Sequence, residues 1–344
     1  MNRRDSLEQR LDAVISPVMN DHTPGMALLI AEGDEIIFRK AYGMADLEKG
    51  RRITPEDNFV IASNTKQFTC FAVLMLKEQG LLSLDETVDR FFPDFPPFCK
   101  KITVRQLMCH QSGIKEYFDD STWQQWSQAA KADTKDMLKI IKTFDVLDFE
   151  PGSRYSYSNS AYVMLGAIVE QLSGMPFGKF LEEKILKPVG MLQSFAPDTM
   201  DQRPASLIEG YELQPDGSFE KQPYDMKLVG YADGNIQSNV DDMLKWHKHL
   251  YESTEACFLA REAMAEAFQE NYLADGSKSG YGLGFFLDGE TPGHKEIWHT
   301  GGTMGFISRC SRYVDDRISV IMLTNYAGLP KNQLYEKIVA EIFA

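Results

Sequence analysis

Cysteine is scarce in this chain, with five residues in 344: Cys70, Cys99, Cys109, Cys257 and Cys310. The count is odd and no pair has metal-ligand spacing, which argues against a disulfide framework or a zinc site. Free thiols in a reducing compartment account for them. No apolar run is long enough to span a bilayer. The N-terminus starts basic, but Asp12 interrupts the apolar stretch that a secretory leader needs. The expected location is therefore the cytoplasm, or the periplasm or exterior if a leader has been removed. Positive charge is also short: 36 Lys and Arg against 50 Asp and Glu leave a net charge of −14. That disfavours nucleic acid and anionic membranes as partners. Neither His-Glu-x-x-His nor Gly-x-Ser-x-Gly occurs, and no phosphate-cradling or dinucleotide Gly-rich loop follows a strand. No cofactor and no metal are expected. There is no internal repeat and no low-complexity segment.

What is present is the composition of an ordinary globular protein, 43% hydrophobic and 25% charged. Residues 5–19 read as an amphipathic helix. Apolar runs at 26–31 and 35–41 flank Glu32-Gly33-Asp34, a hairpin signal. Phe68, Phe71, Ala72 and Met75 recur at helical spacing over 64–79, and Gly80 stops the pattern. Further helices are expected over 159–172, ending at Ser173-Gly174, over 239–251 and over 331–343. Residues 91–98 form an aromatic, Pro-rich loop, and extended runs lie at 296–300, 306–314 and 318–324. Strands at both ends with helices between predict an α/β (α+β) fold, an antiparallel sheet flanked by helices plus a mainly helical lobe. The expected division is one domain over 1–344, with a sheet subdomain about 1–62 and 275–344 and a helical lobe about 63–274. A site is expected in the cleft between them.

Three short motifs could carry nucleophilic chemistry. In Ser63-Asn64-Thr65-Lys66, the serine opens a helix and the lysine stands one turn on, on the same face. A serine hydroxyl needs a base to take its proton, and burial or nearby positive charge lowers a lysine pKa enough to serve. The helix N-terminus favours developing negative charge. Alone the motif is weak. Ser112-Gly113-Ile114-Lys115 matches it without a helical period behind it, and a plain N-cap is what Ser commonly provides. Tyr157-Ser158-Asn159 precedes the 159–172 helix. A phenol beside an ammonium shuttles protons and an Asn amide holds a carbonyl, whereas a packed Tyr with a capping Ser158 or Asn159 is the plainer reading. His299-Thr300-Gly301-Gly302 ends a strand, where small residues let a substrate backbone approach.

In order and separation these three motifs resemble the serine β-lactamase and penicillin-binding-protein superfamily. Tyr-x-Asn and the spacing are similar to class C β-lactamases and their carboxylesterase, D-aminopeptidase and DD-peptidase relatives. The likeness runs over nearly the whole chain. PGMALLIAEGDEIIFRKAYGMAD is similar to the family's first hairpin, ITVRQLMCHQSGI to its helix-and-loop stretch, and YADGNIQSNVDDMLKW and YGLGF to later signatures. The resemblance implies a β-lactamase/transpeptidase-like fold and a cofactor-free serine hydrolase. It implies that Ser63 attacks the carbonyl and becomes acylated, that Lys66 and Tyr157 share the proton transfer, and that Asn159 bonds to substrate or to Lys66. It further implies an oxyanion hole from the N–H groups of Ser63 and Gly302, beside Gly301.

His299 departs from the β-lactamase pattern, which usually has Lys at this place. A neutral imidazole attracts a substrate carboxylate poorly, though it can tune Tyr157. The expectation is therefore hydrolysis of small esters, amides or D-amino-acid peptides through an acyl-enzyme. A β-lactamase and a non-hydrolytic sensor or structural protein are the alternatives. The oligomeric state is left open. His247-x-His249 reads as a solvated helix surface, Cys70 as core, and Trp123, Trp126 and the 91–98 loop equally as acyl pocket or lobe core.

Overall fold

The computed structural model describes residues 3–118, 134–199, 202–224, 230–251, 258–289 and 291–344. Five strands build the main sheet: β1 (Met26–Glu32), β2 (Glu35–Tyr42), β3 (Glu296–Thr303), β4 (Phe306–Tyr313) and β5 (Ile318–Thr324). Their order is β2-β1-β5-β4-β3, antiparallel throughout. The chain ends thus meet at the β1–β5 pairing, where Leu29 faces Ile321 and Ala31 faces Ser319. Every residue of β4 and β5 is buried, so the sheet is covered on both faces. That explains why β5 reads as a near-continuous apolar run rather than an alternating one; β4 buries Ser308, Arg309, Ser311 and Arg312 along with its apolar residues.

Helices α1 (Arg3–Ile15) and α5 (Lys331–Ile342) cover one face. Leu7, Leu11 and Ile15 pack there with Leu28, Ile30, Val320, Ile338 and Ile342. The other face carries Ala27, Leu29, Ile321 and Leu323, and joins the larger core that holds α2 (Thr65–Glu78), α3 (Asn159–Ser173) and α4 (Val240–Tyr251). Helix α2 is buried continuously from Thr65 to Leu76; the Phe68, Phe71, Ala72, Met75 pattern marks one face of a helix enclosed on all sides.

Some expectations need correction. His247 is 2% exposed, not on a solvated surface. Helix α4 packs against β1 and β5 on one side and α2 on the other, so little of its circumference reaches water. The middle of the chain also holds a hairpin, Gly210–Leu213 with Phe219–Gln222, paired to Tyr326–Ala327; Pro215-Asp216-Gly217 was its turn signal. Phe91, Phe92 and Phe98 are buried in the larger core. Trp123 and Trp126 lie outside the described residues. Among the described residues no helix is long and apolar enough to cross a membrane.

Candidate active site

Ser63 sits on a tight turn, Ala62–Asn64, that leads directly into α2. Ala62 has φ +47°, a left-handed conformation that costs a non-glycine residue roughly 1–2 kcal/mol. Neighbouring bonds hold the turn in place. The Ile61 N–H donates to the Ile236 carbonyl at 2.9 Å, and the Ser308 hydroxyl donates to the Ile61 carbonyl at 2.6 Å. Behind the turn, Asn64 Nδ2 donates to Ser308 Oγ, Gln67 Nε2 to Asn64 Oδ1, and Trp246 Nε1 to Gln67 Oε1, each at 2.8 Å. This buried polar chain ties α2 to β4 and α4.

Lys66 lies one turn along, fully buried. Its Nζ donates to Ser63 Oγ at 3.0 Å, Asn159 Oδ1 at 2.9 Å and the Asp233 carbonyl at 2.8 Å. An ammonium has three protons, and all three are placed. Burial pushes the lysine pKa down to about 8, against the opposing pull of Asp233 and Glu116. A substantial neutral fraction is therefore accessible near neutral pH, and the same 3.0 Å contact then serves to take the Ser63 proton.

Tyr157 hydrogen-bonds Ser63, and burial holds its phenol well above the usual range, so it is neutral. The Lys66 ammonium lies 4.8 Å from its ring centroid. His110 sets the tyrosine's position. Its ring lies 4.2 Å from that of Tyr157, its Nδ1 accepts the Ser158 N–H at 3.0 Å, and its carbonyl accepts the Ser156 N–H at 2.9 Å. Ser158 caps α3 by accepting the Ala161 N–H at 3.2 Å. The capping role expected of Ser158 and the closeness of Asn159 to Lys66 therefore occur together.

A cavity of about 240 Å³ opens above Ser63. Tyr157, Asn159, Gly302, Tyr117 and Asp233 line it together with Ser63. Gly301 stands behind Gly302 against the nucleophile turn: a Cβ there would lie 2.2 Å from the Ile61 carbonyl oxygen. Only glycine lets β3 come this close. A Cβ on Gly302 would meet nothing within 4 Å.

His299 is buried behind the cavity wall and is not among the residues lining it. Its Nδ1 faces the Thr300 carbonyl and so carries the proton; Nε2 accepts the Tyr281 hydroxyl at 3.0 Å. Burial, with the Lys66 charge second, holds its pKa at about 3, so the ring is neutral. The Tyr157 and His299 ring centroids are 6.1 Å apart.

The second Ser-x-x-Lys is not built this way. Ser112 is a buried loop residue whose Oγ accepts the Ile114 N–H, and Gly113 passes tightly over the Phe149 carbonyl. Cys70 is core, its thiol pushed up by burial and its Sγ 3.2 Å from the Tyr162 hydroxyl. Sequence reasoning missed Glu116, Tyr117, Asp233, Tyr281 and His110. His110, Asp233 and Tyr281 lie inside stretches that carried the family likeness, but nothing in those stretches set one residue apart.

A family model described as Beta-lactamase matches residues 11–342. A penicillin-binding protein of Bacillus subtilis is 28% identical over 336 residues, spanning 94% of this chain and 72% of that protein. A D-aminopeptidase of Brucella anthropi is 28% identical over 313 residues, spanning 89% of this chain; the chain covers 56% of that protein's length. The solved structure of an octameric penicillin-binding protein homologue from Pyrococcus abyssi superposes with a TM-score of 0.83 at 25% identity, covering 99% of this chain and 78% of that one. The match spans nearly the whole chain, and the chain belongs to the Beta-lactamase family.

Proposed function

We propose that this protein is a serine hydrolase that cleaves small esters, amides or D-amino-acid peptides through an acyl-enzyme. The observation that carries the reading is the buried Lys66, its Nζ 3.0 Å from Ser63 Oγ and its pKa lowered to about 8. Neutral Lys66 takes the Ser63 proton as Oγ bonds to the substrate carbonyl carbon. The N–H groups of Ser63 and Gly302 face the resulting oxyanion. Tyr157, hydrogen-bonded to Ser63 and next to Lys66, relays the proton to the leaving group. Water then attacks the ester, losing its proton to the same pair, and Ser63 is restored. The kinship with a D-aminopeptidase agrees with this substrate range. Four cysteines, Cys70, Cys99, Cys109 and Cys310, are buried free thiols, which supports a reducing compartment.

Hydrolysis of p-nitrophenyl acetate by the wild type and Ser63→Ala tests the assignment. A rate loss of at least about a thousandfold is expected, with an acetylated Ser63 peptide seen by mass spectrometry; equal rates would overturn it. A chromogenic cephalosporin is the contrasting substrate. Among the described residues that line the cavity, none is a cation that could hold a substrate carboxylate, and His299 is neutral, so turnover slower than the ester's is expected.

A further inference from the structure

Asp233 lines the cavity beside Ser63; its main-chain carbonyl holds Lys66, and its carboxylate has no part in the acyl transfer. Its carboxylate is held by neutral donors: Oδ1 accepts the Tyr231 N–H at 2.8 Å and Oδ2 the Tyr117 hydroxyl at 3.1 Å. It is 5% exposed and makes no ion pair among the described residues. Buried carboxylates ordinarily have a cation, because desolvation is otherwise poorly offset. Here each oxygen still has acceptor capacity. Space has been kept above it as well. Gly230, at φ +85°, also lines the cavity, and a Cβ there would lie 2.9 Å from both carboxylate oxygens. A second carboxylate, Glu116, stands behind Asn159. Two acids thus surround the single ammonium of Lys66, whose protons are already placed on Ser63, Asn159 and the Asp233 carbonyl.

We propose that Asp233 is a specificity-determining residue whose carboxylate receives a protonated primary amine of the substrate. The substrate class is an amide or short peptide with a free α-amino group next to the carbonyl that Ser63 attacks. A side chain of modest size packs on the Tyr117 and Phe118 rings that line the same cavity. This rests on the reading of Ser63 as nucleophile only for the position of the carbonyl; the recognition of the amine stands on Asp233 itself.

The test is calorimetric binding to the Ser63→Ala protein of two ligands of one size, D-phenylalaninamide and D-phenyllactamide, in which a hydroxyl replaces the ammonium. The amine is expected to bind at least about tenfold tighter, as a charge-assisted hydrogen bond should. Asp233→Asn in the same background should bring the ratio close to one. Equal affinities, no binding of the amine, or a ratio retained in Asp233→Asn each overturn the proposal. If Asp233→Asn does not fold, the ratio in the parent protein decides alone. Binding is read without turnover, so failure here is distinct from failure of the hydrolase reading, which equal ester rates in wild type and Ser63→Ala would expose.

Discussion

Glu116 accepts two hydrogen bonds from Asn159, one from its main-chain N–H at 2.7 Å and one from its Nδ2 at 3.1 Å. The second bond fixes which way the amide points, so that Oδ1 faces Lys66 at 2.9 Å. Glu116 acts on the proposed chemistry through Asn159, as a positioning residue. In Glu116→Gln one acceptor becomes a donor and the Asn159 amide is freed to turn. A loss in kcat/KM on the order of tenfold is expected at neutral pH, since a small misplacement of a reacting group is costly. The Glu116 charge also supports the Lys66 ammonium, so removing it should move the ascending limb of the pH profile, which Lys66 governs, to lower pH. A limb that stays in place would show Glu116 to be merely structural.

Lys66 sets the expected pH dependence. With its pKa at about 8, kcat/KM for an uncharged ester should rise about tenfold per pH unit below that value and level off above it. His299, held neutral down to about 3, should add no limb near the ordinary imidazole pKa of ~6.5. A profile flat from mildly acidic to mildly alkaline pH would remove Lys66 as the base.

Gly301 and Gly302 should respond oppositely to a methyl group. Gly301→Ala places a Cβ 2.2 Å from the Ile61 carbonyl oxygen and 2.5 Å from Ser308 Oγ. The backbone cannot yield cheaply, so β3 must move away from the nucleophile turn. A stability loss of about 1–3 kcal/mol is expected, with a fall in kcat of roughly a hundredfold as the Gly302 N–H is displaced. Gly302→Ala meets nothing within 4 Å and should leave Tm nearly unchanged. Thermal melts and ester kinetics on the two variants check both halves.

Three imidazoles, His110, His247 and His299, are buried and depressed in pKa, His299 to about 3, chiefly by desolvation. In the unfolded chain each binds a proton below ~6.5. The unfolded state therefore takes up more protons than the folded state on acidification, and stability falls as pH drops through that value. Each imidazole contributes a slope of about 1.4 kcal/mol per pH unit in the fully developed range. Above ~6.5 their contribution is complete and constant. Denaturant unfolding at stepwise lower pH should show this decline, with a smaller slope in His247→Phe; a curve flat between pH 7 and 5 contradicts it.

The sheet strands and the helices that bear the motifs were legible because their signals are local. The Glu32-Gly33-Asp34 turn, the extended runs at 306–314 and 318–324, and the Gly80 and Gly174 stops coincide with observed elements or their ends. Ser63, Lys66, Tyr157 and Asn159 were legible too, as short motifs in a set order, and they lie together around one cavity. His247 was misread because helical spacing reports which residues share a face, not how many faces are covered; α4 is covered on more than one. The hairpin over Gly210–Leu213 and Phe219–Gln222 is short, and pairing with Tyr326–Ala327, over a hundred residues away, stabilises it.

By itself, then, the sequence determined the family, the order of the strands' apolar runs and the identity of the candidate nucleophile with its lysine. These depend on residue type at short spacing, which a chain carries before it folds. Tertiary structure alone decided the electrical character of the site. Lys66 has a depressed pKa because α2 is enclosed; His299 is neutral because it is buried near the Lys66 charge; Asp233, 170 residues from Ser63 in sequence, lines the same cavity and offers its carbonyl to Lys66. Desolvation and Coulomb interaction depend on what surrounds a group in space, and spacing along the chain does not contain that.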